Sequence, residues 1–262
     1  MRTPRLTAFA AVAAMTAAGA WAAEPPGAGV LKPTPAQPPA KPAFEPSSSY
    51  TTQEIEGWTI RVHQRLLAEQ KEPGGRALPL LRVKLYDVAR VVPPRALQEL
   101  RKVPFWVEYN NPQVVCACYH PSRQWLQEHS FNPEKAGAVE IGNVENFLQW
   151  SHHQPSMVLH ELAHAYHHQV LGWDHPEIEA LYRQAVQGKS YESVLAHDGR
   201  KRRHYAMNDA KEYFAESSEA LFGTNDFYPF VRAELRQHDP SMAALLEKLW
   251  ENPPRAAPAR KP

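Results

Sequence analysis

The sequence predicts an α+β fold: a small twisted sheet first, a central histidine-rich helix, then a helical C-terminal lobe. Three observations support it. Short β-branched and aromatic runs, separated by turn residues, lie before Gly142. The stretch Met157 to His168 then places apolar residues at helical spacing. After it, apolar positions keep that spacing between residues that cap or stop helices.

The 262 residues include 43% hydrophobic residues and seven Trp, enough for a packed core. A formal charge of +1 gives no reason to expect nucleic acid or a membrane surface as partner. Residues 1–22 read as a secretory signal. Arg2 and Arg5 precede a mostly apolar stretch, and Ala20-Trp21-Ala22 fits the small-x-small cleavage pattern. A secreted or periplasmic protein is expected. Residues 23–48 form a proline-rich linker, 49–252 the folded domain, and 253–262 a proline-rich basic tail.

Ile55, Trp58, Ile60 and Val62 suggest a strand over residues 54–63, with Gly57 at a bulge. Leu80, Leu81, Leu85 and Val88 recur at helical spacing over 76–91, where Pro93-Pro94 stops the helix. A short helix follows at 96–100. Strands are expected at 103–109 and 114–119, joined by Asn110-Asn111-Pro112. After a short helix expected at 124–128, a strand is expected at 138–141. Its position before the central helix suggests a sheet edge open to an extended peptide, although an internal strand fits the residues equally well.

The central helix should run from Pro155 to about Leu171 and stop at Gly172. Further helices are expected at 176–187, from Asn208 or Asp209 to Leu221, from Pro229 to His238, and from Pro240 to Trp250. Cys116 and Cys118, the only cysteines, lie two apart in an extended segment, where a disulfide between them would be strained. Zinc binding by the pair needs two more ligands, and none is evident nearby in sequence. Buried free thiols are expected.

His160-Glu161-Leu162-Ala163-His164 is an H-E-x-x-H pattern. On a helix it sets two imidazoles one turn apart on one face, as a shared zinc ion requires. Glu161 can then act on water without being a ligand. A third ligand is needed. His168 lies about 12 Å further along the helix axis than His160, too far for the same ion. A completion through H-E-x-x-H-x-x-G-x-x-H would need Gly and His where His167 and Val170 stand. A carboxylate from another helix remains, and the helix after Asn208 offers Glu212, Glu216 and Glu219.

The segment from Tyr205 to Glu216, read together with His160, Glu161 and His164, resembles the gluzincin-type zinc metallopeptidases. The likeness is closest to the anthrax lethal factor catalytic domain and the Pro-Pro endopeptidases. It spans about residues 138–222 and does not extend to the N-terminal half. It implies a zincin-like metallopeptidase domain with one zinc ion held by His160, His164 and Glu212. Glu161 would be the general base, Tyr205 the oxyanion-stabilising group, with His204 as runner-up, and Glu216 the acid that orients a ligand histidine. The implied activity is zinc-dependent endopeptidase cleavage of a peptide or protein substrate. Two other functions fit the same residues: a non-catalytic zinc-containing domain that binds a peptide or glycan, and hydrolysis of a non-peptide amide.

Overall fold

The computed structural model describes residues 44–68 and 71–253. The expected signal (1–22), most of the linker and most of the tail lie outside the described residues.

Strands β1 (Tyr50–Ile55) and β2 (Trp58–His63) form an antiparallel hairpin. Glu56 and Gly57 turn it at φ 53° and 86°, the paired left-handed residues that match the twist of a two-residue hairpin. The single bulged strand expected at 54–63 is therefore two strands. Glu56, uncommon at positive φ, hid the turn. Gly57 has a second reason to be glycine, since a Cβ there would stand 2.8 Å from Arg101 Nε.

Helices α1 (Gln64–Ala68), α2 (Lys71–Val91) and α3 (Pro94–Leu100) carry the chain back to the sheet. Ala77, Leu81, Leu85 and Val88 form the buried stripe of α2, and Trp58 Nε1 donates to Leu100 O at 2.9 Å. Strand β3 (Phe105–Val107) then pairs in parallel with β2. Next come β4 (Ala117–Tyr119), α4 (Arg123–Glu128), β5 (Val139–Ile141) and α5 (Val144–Trp150). The sheet order is β1-β2-β3-β5-β4, with β5 parallel to β3 and antiparallel to β4. Residues 138–141, considered as an edge, are interior; β4 is the edge.

Helix α6 (Met157–Tyr166) continues as a π-helical segment, His167–Leu171, and ends at Gly172 with φ 85°. Helix α7 (Pro176–Gly188) follows, then a small hairpin, β6 (Val194–Leu195) with β7 (Lys201–Arg202). Helix α8 (Ala210–Phe222) begins at Asp209, whose carboxylate accepts from the N–H groups of Lys211 and Glu212. Helices α9 (Arg232–His238) and α10 (Pro240–Glu251) complete the lobe. The ninth helix starts after Pro229 rather than at it.

One sheet face, through Phe105, Val107, Val139 and Ile141, shares a continuous core with α2, α6, α8 and α10. Trp250 of α10 stacks on Tyr166 of α6 at 4.1 Å. The other sheet face carries two smaller clusters: Tyr50, Trp106 and Ala138, and Val114, Leu126 and Phe131, the latter packing with Cys118. The architecture is mixed α+β. Among the described residues no helix is long and apolar enough to cross a membrane.

Candidate metal centre

Helix α6 buries Val158, Leu159, Leu162, Ala163 and Ala165, which leaves His160, Glu161 and His164 on its less buried side. Facing it, α8 is buried from Tyr213 to Leu221. Its acids Glu212, Glu216 and Glu219 fall at i, i+4 and i+7, one stripe of the helix. That stripe meets the histidine side of α6.

Three donor atoms converge. His160 Nε2 and His164 Nε2 are 3.0 Å apart, and Glu212 Oε2 lies 3.1 Å from the first and 3.4 Å from the second. Adjacent ligand atoms around a tetrahedral zinc ion are about 3.3 Å apart, given metal–ligand bonds near 2.0 Å. Glu212 Oε2 is buried and makes no hydrogen bond of acceptable geometry, despite its two imidazole neighbours. A buried carboxylate oxygen left so is costly. The donor set and this orphaned oxygen fit a zinc ion. Burial opposes the Glu212 anion, but His160 and His164 hold its pKa well below the usual carboxylate range.

His160 Nδ1 lies 2.7 Å from Glu219 Oε1 and 3.6 Å from Glu216 Oε1. The Glu219 contact fixes the ring so that Nε2 faces the other donors. The orienting role expected of Glu216 thus falls geometrically to Glu219, one turn further on. Glu216 instead accepts from Asn225 Nδ2 at 2.9 Å. Burial raises the pKa values of both acids, Glu219 to about 7. Sequence reasoning grouped the three acids but had no signal to choose between the second and third, because helix twist brings both near the same ring.

Glu161 Oε2 accepts the Tyr119 N–H of β4 at 2.7 Å, which ties the edge strand to the helix. Tyr119 carries no motif, and its contact was not legible before the strand order was known. Tyr205 opens a 3₁₀ turn (Tyr205–Met207) and is 37% exposed. Burial raises its phenol to about 12, with Glu212 adding to the rise and His160 opposing it. His204 is only 2% exposed, and its Nδ1 accepts from Ala206 N–H at 3.0 Å. That ring caps the turn and does not face outward. His168 leaves the centre for Tyr119 OH, 2.8 Å from its Nδ1. His167 is fully buried, with neither ring nitrogen hydrogen-bonded.

In comparisons with known proteins, no family model, no curated protein and no solved structure matches this chain.

Proposed function

We propose that the protein is an exported zinc-dependent endopeptidase of the zincin-like, gluzincin type. The observation that carries this reading is the triangle of His160 Nε2, His164 Nε2 and Glu212 Oε2, with Glu161 on the same turn of α6. His160, His164 and Glu212 would hold one zinc ion, which, when bound, supplies Lewis acidity to water and to a scissile carbonyl.

The chain's own groups divide the remaining work. Glu161 takes the proton of the attacking water and returns it to the leaving amine. The Tyr205 hydroxyl, protonated at neutral pH, donates to the developing oxyanion. Glu219 keeps the His160 proton on Nδ1 and so keeps Nε2 a ligand. The substrate fits as a strand along β4. His120 N–H donates to Ala138 O and Cys116 O accepts from Gly142 N–H, so alternation turns the Ala117 N–H and C=O and the Tyr119 C=O to the open edge, while the Tyr119 N–H is held by Glu161. A peptide added there satisfies them.

The test is cleavage of a diverse peptide library by the zinc-loaded protein, with Glu161→Gln as control. Cleavage confined to the unmodified protein supports the endopeptidase. Zinc bound with no cleavage above the control would favour a zinc-containing domain that binds a peptide or glycan.

A further inference from the structure

On the sheet face turned away from α6, Cys118 and Glu140 are direct cross-strand partners. His120 lies two residues beyond Cys118, on the same face. Their donor atoms gather: Cys118 Sγ is 3.4 Å from His120 Nε2, and Glu140 Oε2 is 2.6 Å from the same nitrogen. One atom from each of the three residues lies within 4.8 Å of the other two. His120 and Glu140 are buried, while Cys118 is only half-buried and borders solvent.

We propose that Cys118, His120 and Glu140 form a second metal site, for one thiophilic divalent cation of the zinc class. A thiolate, an imidazole and a carboxylate are a zinc donor set, with a fourth position open to water. The 3.4 Å between sulfur and nitrogen is already close to the ligand spacing of a tetrahedral site, about 3.5 Å for a sulfur–nitrogen edge. The 2.6 Å between nitrogen and oxygen is a hydrogen bond. The cation takes the place of its proton, and the two atoms move apart by about 0.7 Å to ligand spacing.

Glu140 is prepared for this. Its Oε1 accepts from Asn111 Nδ2 at 2.7 Å and from Lys135 Nζ at 2.9 Å, which leaves Oε2 turned to the site. Ligating carboxylates are commonly held in this way by outer partners. Lys135 also pairs with Glu108 at 2.6 Å, and Tyr50 OH donates to both Glu108 oxygens, so the partner of Glu140 Oε1 is itself held in place.

The α6 centre contains no sulfur ligand, so the two sites can be read separately. The reduced, metal-stripped full chain is loaded with cobalt(II), desalted, and examined for metal content and thiolate-to-cobalt charge-transfer absorption in the near ultraviolet. Expected are two equivalents of metal and a thiolate band. Cys118→Ser and His120→Ala each lose the band and one equivalent; Cys116→Ser and His164→Ala keep the band. A single equivalent with no thiolate band in the unmodified protein overturns the proposal, whatever the variants do. So does a band that survives in folded Cys118→Ser.

Discussion

His160 is where residue chemistry and packing meet most closely. Burial works against its charged form, yet Glu212 and Glu219 hold its pKa well above that of a free imidazole. A cation at Nε2 replaces that proton and leaves Nδ1–H to Glu219. Glu219→Gln should therefore weaken zinc affinity by roughly 10- to 100-fold. Glu216→Gln, 3.6 Å away and bonded to Asn225, should change it much less. Competition with a chromogenic chelator measures both. His167 gives the opposite case. Its ring lies among Phe214 and Trp173 with both nitrogens unpaired, so His167→Phe should stabilise the fold by about 1 kcal/mol. Burial also lowers its pKa to about 3 in the folded state. The unfolded chain then binds the extra proton first, so this contribution is complete above about pH 6.5 and is lost as pH falls toward 3. In chelator, His167→Phe should flatten the loss of melting temperature over that window. Of these residues, the H-E-x-x-H pair stood out because its spacing is a chemical requirement, and Glu212 only through the resemblance. Glu219 and the orphaned His167 did not, because helix twist and core packing decide them.

At the level of elements, helices were easier to read than strands. The buried stripe of α2 and the Asp209 cap of α8 are local features, so the sequence carries them directly. The sheet was misjudged where partners are distant. Residues 54–63 hold the end of β1, the turn and β2, because a left-handed Glu56 gives no turn signal. Residues 138–141 became interior because β4, earlier in the chain, folds back antiparallel outside them. That order leaves β4 at the sheet edge, where the proposed substrate strand would add. Ala117→Pro removes one outward N–H at an edge, where proline is tolerated. It should raise KM about fivefold, the cost of one hydrogen bond near 1 kcal/mol, with little effect on zinc content. Steady-state kinetics on a cleaved peptide tests this. An unchanged KM would remove β4 from substrate binding.

The donor atoms of the candidate zinc centre stand on two helices, α6 and α8, that share one core with the sheet. Zinc held across that interface would bind the folded state alone and add about 4 kcal/mol at a free concentration 1,000 times its dissociation constant. Chelation should accordingly lower the melting temperature by several degrees or more, and Glu212→Gln should lose most of that dependence. The α+β order of sheet, helix and helical lobe could be read from periodicity alone. That α8 returns to α6 was readable only through the resemblance of its acidic run, since nothing local to residues 205–216 says what they face.

The role proposed for Glu161 is chemistry and not metal retention. The most direct measurement compares peptide cleavage and bound zinc in the unmodified protein and in Glu161→Gln. Equal zinc is expected in both, with a fall in cleavage of about 10²- to 10⁴-fold in the variant. Zinc-loaded protein that cleaves no better than Glu161→Gln would contradict it.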